Sequence, residues 1–448
     1  MAACAFLSLG GVSATEAAPR DLNRPPRAAA GDIQRIEARR TALFQVMLDD
    51  PSNLDAAFEY AALSSQVGDL EGAIATLERM LIFAPGLPRL QLELGVLYFR
   101  LGAYSTAGTY FDAAVSNGDV PEEVRNKVSQ YQAAIASRNG ASSYSGSFSI
   151  GTRYQTNANG GPASAFVNLN GLDYLLSEDA RKAPDLSGFI SGNVLGVFDL
   201  PAQGVEFKAS LRTYGEGYAK REELNLAYAE LAAGPSFDLN RFGLENYTLD
   251  VYGIASGGIL SGDPLTSSLG SGVFLGARPT TDWFYGVRGE YRHERYHDSD
   301  AHPQMSDKSG DRFQGQLVSS YRLSDSLTLD LAGTVDRFEA DIARNAYWQA
   351  SGFAGLTIQY GSPLAGLPEP WSISITNQIS RRKNDAADPM ISSAAQRTTM
   401  WTLGLTQTIP LTTEWAALLQ TGYQKSWSNY DTGTFDNATL GISLTKVF

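Results

Sequence analysis

The three histidines of the chain all fall in one stretch, RHERYHDSDAHP, at His293, His297 and His302, with Asp298 and Asp300 between them. Imidazole nitrogens and carboxylate oxygens at such spacing could hold a divalent cation. The same residues also make an ordinary solvated loop. No residue that would orient the imidazoles is visible around them, so neither a metal nor any other cofactor is expected. Serine and histidine are present, but no G-x-S-x-G or other nucleophile elbow occurs, and the chain is not expected to be an enzyme. GGILSGDPL, at Gly257 to Leu265, lacks the Gly-Lys-Ser/Thr ending of a phosphate loop and reads as a loop between strands.

The charges that recur at every second residue carry more information. Arg288, Glu290, Arg292 and Glu294 share one parity, and Trp283, Tyr285, Val287, Gly289 and Tyr291 the other. Glu206, Lys208 and Arg212 alternate in the same way with Val205, Phe207, Ala209 and Leu211. Trp401, Leu403 and Leu405 alternate with Thr402, Gly404 and Thr406. A period of two belongs to strands with one apolar and one polar face. If the apolar face meets lipid and the polar face a wet lumen, a charge turned the wrong way costs about 2–4 kcal/mol, which fixes the register. The ladders then have two readings: salt bridges across the lumen that stabilise a partly closed barrel, or a pore lining that a substrate passes. Their mixed sign argues against a simple ion-selective porin.

The elements that must carry these faces occupy residues 139–448. Candidate strands lie at 144–154, 187–199, 204–216, 224–238, 246–258, 267–278, 283–296, 310–322, 326–338, 345–360, 371–381, 397–409, 414–427 and 437–448. These are about 14 strands of roughly 11 to 17 residues, long enough to cross a bilayer at a tilt. Links after even-numbered strands are mostly short, and those after odd-numbered strands often longer and polar, as in a transmembrane barrel with turns on one side and loops on the other. Trp283, Trp371 and Trp415 at the short-turn ends, with Tyr296 and Trp427 opposite, suit two aromatic girdles. Net charge is −13, which argues against a nucleic-acid partner.

Residues 32–138 differ from all that follows. Ala and Leu recur at helical spacing, and Asp50-Pro51 and Ala84-Pro85 lie about 34 residues apart. Leu94, Gly95, Tyr98, Gly102, Ala107, Phe111 and Ala114 follow the tetratricopeptide pattern, and Gly68, Ala73, Leu77 and Pro85 follow it more loosely. This region therefore resembles a short tetratricopeptide array. The resemblance implies helix pairs brought close by Gly95, Gly102 and Ala107, with Tyr98 and Phe111 filling the gap. Pro121-Glu122-Glu123 starts a further helix. The array either buttresses the chain or offers a groove for a peptide, glycan or protein.

At the start, MAACAFLSLGGVSATEAA is similar to the apolar part and cleavage region of an export signal, assigned to 1–18, with a linker over 19–31. Cys4 is the one cysteine, so disulfides are not expected after processing. At the other end, Leu440, Ile442, Leu444 and Phe448 resemble the C-terminal signal read by the outer-membrane barrel assembly machinery. Lys446 stands where that pattern prefers an aromatic.

The expected fold class is thus α + β, a helical repeat domain followed by an antiparallel transmembrane barrel of about 14 strands. That architecture resembles the surface lipoprotein assembly modifiers (Slam). GTRYQTNANGGP, at Gly151 to Pro162, looks like an Asn-rich segment of that family, and SNYD, at Ser428 to Asp431, is similar to both it and the outer-membrane exopolysaccharide exporters. The first resemblance implies a periplasmic repeat domain that recruits a client lipoprotein and an outer-membrane barrel that moves it to the surface. The second implies repeats that meet an exopolysaccharide or its synthase, and a lumen with carbohydrate-stacking aromatics. Few inward aromatics are evident in the sequence, Phe284 and Tyr214 among them.

Overall fold

The computed structural model describes residues 33–84, 86–101, 103–116, 125, 127–132, 135, 142–200, 204–239, 242–244, 246–364, 366–367 and 369–448. The expected export signal and linker, together with Pro85, Gly102 and the helix start at Pro121, lie outside them. Two compact units meet in sequence between Ser143 and Tyr144.

The first unit is helical: α1 (Ile33–Asp49), α2 (Leu54–Val67), α3 (Leu70–Met80), α4 (Pro88–Leu101) and α5 (Tyr104–Val115). Asn53 and Asp69 accept the backbone N–H of Ala56 and Gly72, each at 3.0 Å, and these caps start α2 and α3. Gly68, at φ 90°, makes the left-handed turn that ends α2. From Leu54 to Pro88 and from Leu70 to Tyr104 is about 34 residues each, the tetratricopeptide period. One apolar cluster joins α1 to α4 through Leu43, Ala57, Leu77 and Leu94; a second joins Phe99 and Phe111 to Val128, Tyr131 and Ile135. No described helix is long and apolar enough to cross a membrane.

The second unit is a closed antiparallel barrel. Its strands are β1 (Ser142–Gln155), then, after the hairpin β2 (Phe166–Leu169) and β3 (Leu172–Leu175), β4 (Asp185–Asp199), β5 (Val205–Tyr218), β6 (Leu226–Asp238), β7 (Tyr247–Leu260), β8 (Asp263–Thr280) and β9 (Trp283–Tyr296). It continues with β10 (Gly310–Ser324), β11 (Leu327–Ala340), β12 (Tyr347–Tyr360), β13 (Trp371–Asn384), β14 (Arg397–Pro410), β15 (Trp415–Ser428) and β16 (Phe435–Val447). Fourteen strands close in the order of the chain, with β1 on β16 and the β2–β3 hairpin outside the ring. Each strand pairs antiparallel with its neighbours, so the barrel has no free sheet edge.

At the β1–β16 seam Ser147 faces Val447 and Gln155 faces Thr439. Hydroxyls of Ser149 and Thr445 meet at 2.8 Å, Asn437 donates to Gln155 at 3.1 Å, and Asn157 donates to the Asp436 carbonyl at 2.9 Å. Phe448 and Gly146 exchange backbone hydrogen bonds of 2.9 and 3.1 Å. A Cβ on Gly151 would stand 2.5 Å from the Ile442 carbonyl, so the close approach there depends on glycine.

Three details differ from the sequence reading. GGILSGDPL is not a loop: β7 and β8 run on through it, and only Ser261 and Gly262 turn, at φ 53° and 93°. Positive φ at both central residues suits the twist of a tight hairpin. Second, the long segment after β1 holds the β2–β3 hairpin, turned by Asn170 and Gly171 at φ 52° and 85°. Third, Tyr296 does not join an outer girdle. It has the inward parity of β9 and packs with Leu260, Leu265 and Met305.

Candidate functional site: the interior of the barrel

Inside and outside are told apart by burial along each strand. On β9, Val287 and Tyr291 are 48% and 40% exposed, whereas the Glu290 side chain is 6% exposed. Arg292 on β9 bonds Glu230 on β6 at 2.5 Å, three strands away around the ring. The odd residues of β9 therefore face out and its even residues face the lumen.

The first polar cluster is centred on Arg292, which also holds Glu290 at 2.8 Å. Tyr228 donates to Glu230 and Tyr252 to Glu290, both at 2.9 Å. Arg212 lies 3.7 Å from Glu230 and Arg288 4.0 Å from Glu290. Every carboxylate in this cluster thus meets both a cation and a phenol, the condition under which a desolvated charge is tolerated. Lys208 pairs with Asp250 at 3.2 Å and Arg312 with Glu294 at 2.9 Å. Glu206 sits toward the short-turn end of β5, opposite Ser236, with no ion pair among the described residues. A second cluster gathers on Glu216, which accepts Tyr214 and Ser187 hydroxyls at 2.6 Å and has Arg153 at 3.6 Å.

Aromatic rings fill much of the same wall. Guanidinium groups lie over inward rings at Arg153 on Phe189 (4.8 Å), Arg288 on Phe274 (5.2 Å), Arg312 on Phe338 (5.5 Å) and Arg382 on Tyr347 (4.0 Å). The sequence reading of few inward aromatics is therefore corrected: Phe189, Tyr218, Tyr228, Tyr252, Phe274, Phe338 and Tyr347 join Tyr214 and Phe284. Tyrosine and phenylalanine suit either face of a strand, so alternation alone does not place them.

The wall from β13 to β16 is unlike this. Its outward residues are large and exposed: Ile379, Leu405, Leu419, Leu440 and Ile442. Its inward positions hold Ser374, Thr376, Gln378, Thr402, Gln420 and Ser443, and Arg382 is its inward charge among the described residues. Leu444 also faces out, and Lys446 lies 3.6 Å from Glu414 and over the Trp415 ring.

His293 and His297 go to different partners rather than to one site. His293 Nδ1 lies 2.8 Å from Asp311 and His297 Nε2 3.1 Å from Ser267, while Asp298 accepts from Ser306. On the long-loop side, the β2–β3 hairpin reaches other loops. Asn170 donates to Ile391 and Pro389 carbonyls, and the Asn168 N–H donates to Asp431 at 2.8 Å. They frame a polar recess with Ser392 and Tyr430.

In the helical unit Leu94, Ala107, Phe111 and Ala114 are fully buried. A Cβ on Gly95 would come within 2.6 Å of the Phe111 ring, so α4 and α5 touch there. Tyr98 stacks on Tyr110 at 5.4 Å and donates to Glu78 at 2.6 Å. That hydrogen bond, with partial burial, pushes the Tyr98 phenol up to about 12, so it stays a donor at neutral pH.

No protein-family model and no curated protein matches the chain. Among solved structures, a bacterial polysaccharide outer membrane secretin aligns at 12% identity over 68% of this chain and 98% of its own, with a TM-score of 0.36. An anion-selective porin from Comamonas acidovorans aligns at 11% identity over 68% and 99%, with a TM-score of 0.35. The Yersinia enterocolitica type III secretion chaperone SycD, in complex with a peptide of the translocator YopD, aligns at 16% identity over 23% and 84%, with a TM-score of 0.22. Likeness at this level says nothing of what the chain does.

Proposed function

We propose that the chain is an outer-membrane translocation protein, a carrier rather than an enzyme. The barrel spans the membrane with its long loops outside. The helical unit, joined to β1 at the short-turn end, works in the periplasm and recruits a client. The barrel moves that client to the cell surface, and a surface lipoprotein is the client class we favour. Membrane placement is supported by the closed ring, which satisfies its backbone hydrogen bonds internally, and by an outward face of exposed Leu, Ile and Val. The observation that carries translocation is the two-sided lumen. One wall is zipped by charges and rings, and the other offers small hydrogen-bonding side chains along which an extended chain can pass.

A second reading, export of an exopolysaccharide, draws support from the inward rings that are not fully buried, Tyr214, Tyr228, Tyr252 and Phe284, since sugar rings stack on such faces. One deletion strain separates the two. Loss of protease-accessible lipoprotein from the cell surface supports the first. Unchanged lipoprotein exposure with lost exopolysaccharide selects the second. A freely soluble periplasmic protein, without a heat-modifiable gel shift in the outer-membrane fraction, would remove both.

A further inference from the structure

The outer face of β13 and β14 carries a group of charges that the barrel itself does not use. Lys383 stands directly opposite Arg397, and Arg381 directly opposite Thr399, which makes Arg381 and Arg397 diagonal neighbours. Residues so placed lie about 5 Å and about 7–8 Å apart, and like charges there repel. All three side chains are exposed, and none has an ion pair or side-chain hydrogen bond among the described residues. Nearby outward cations are neutralised: Arg337 by Asp385 at 2.8 Å and Glu339 at 3.4 Å, Lys425 by Asp436 at 3.7 Å. A repelling triangle left unpaired among paired neighbours calls for an external anion.

Its surroundings say which kind. Trp348 faces Lys383 from β12 and Trp427 faces Thr399 from β15; they are 54% and 48% exposed. Tryptophans of this kind sit at headgroup level. Toward the short-turn end the same face continues as Ile379, Leu403 and Ile375, all exposed. The triangle thus opens sideways above an apolar band, not into the lumen or onto the loops.

We propose that Arg381, Lys383 and Arg397 bind the headgroup of a phosphate-bearing lipid in the leaflet on the long-loop side, its acyl chains lying along Ile379, Leu403 and Ile375. The proposal rests on the membrane-spanning reading. Phosphate oxygens accept from guanidinium and ammonium groups, and the bound lipid removes the repulsion between the three cations.

The full chain refolded into phosphatidylcholine vesicles, with and without phosphatidic acid, tests it. Phosphatidic acid should raise the heat-modifiable unfolding midpoint of the wild type and of Lys383→Arg. Combined Arg381→Gln, Lys383→Gln and Arg397→Gln should lower the apparent affinity for the lipid by about 100-fold, because each cation near a lipid surface contributes several-fold. Lys383→Gln alone, which keeps two cations, should give an intermediate loss and remains readable if the triple variant does not fold. An equal rise in the substituted proteins overturns the proposal. So does the same rise from inorganic phosphate added to phosphatidylcholine vesicles, which would mark a site for a soluble anion. Failure of the wild type to float with either vesicle overturns the membrane reading itself, and this site with it.

Discussion

The two walls of the lumen are built from the same strand geometry and solve opposite problems. From β5 to β10, Arg, Glu and Tyr are locked together: Arg292 bridges Glu230 and Glu290, and each carboxylate accepts a phenol as well. From β13 to β16 the inward residues are mostly Ser, Thr, Gln and Gly, with Arg382 as the inward charge, and among the described residues no ion pair holds them. Arg292 ties the charged wall together, because it holds two carboxylates and each of these also holds a phenol. On the neutral wall Ser374, Thr376, Gln378, Thr402 and Gln420 are partly exposed, whereas Ser426, Asn437 and Ser443 are buried. In the function proposed above, the barrel holds its shape on one side and keeps a track on the other.

This contrast can be broken in order of expected effect. Arg292→Ala leaves two carboxylates with 10% and 6% of their side chains exposed and no bridging cation. Removing one partner of a buried pair costs about 3–5 kcal/mol, read as a drop in the unfolding midpoint. Adding Glu230→Gln and Glu290→Gln should recover much of it. A loss under about 1 kcal/mol would mean that the ladder is fully solvated and the walls do not differ in this way. Thr402→Trp on the neutral wall should leave the midpoint nearly unchanged and cut client delivery to the surface by about tenfold or more, since a bulky constriction closes the track. Undiminished delivery would remove the track. Arg288→Ala removes the guanidinium over Phe274 and should cost about 1 kcal/mol. Ser149→Ala, at the seam end of the neutral side, loses one hydroxyl pair and should stay within about 1 kcal/mol by the same gel assay.

What could be read from the residues follows from what lipid forbids. A charge on the outer face is costly at the bilayer midplane and tolerated near the interface, as at Arg381 and Lys383, so Arg288 to Glu294 mark their side through their alternation with Val287, Gly289 and Tyr291. The His293–His302 stretch divides: His293 lies on β9 and faces out, and His297 and His302 lie in the loop beyond it. Three features escaped for physical reasons. Ser261 and Gly262 are a two-residue turn, and the Ser-Gly pair was the available signal, masked by the glycines before it. In FVNLNGLDYL the Asn170-Gly171 pair marks a hairpin, yet strands of four residues give too short a pattern to count. The inward rings were missed because an aromatic does not reveal its face as a charge does. In the helical unit Gly95 was readable as a contact point; the ring it admits is Phe111.

The seam between β1 and β16 joins the two ends of the barrel sequence, and Ser149 and Thr445 meet across 296 positions. Neighbouring strands elsewhere follow one another along the chain through turns or loops, so this pairing has by far the greatest loop-closure cost and contact order. We expect it to form last, after the other strands are zipped. Its side-chain bonds, Asn437 to Gln155 and Asn157 to Asp436, would then be absent from the rate-limiting state of folding and govern how slowly the barrel comes apart. Asn437→Ala should accordingly speed unfolding in denaturant while leaving the refolding rate into vesicles nearly unchanged. A slowed refolding limb would place closure earlier.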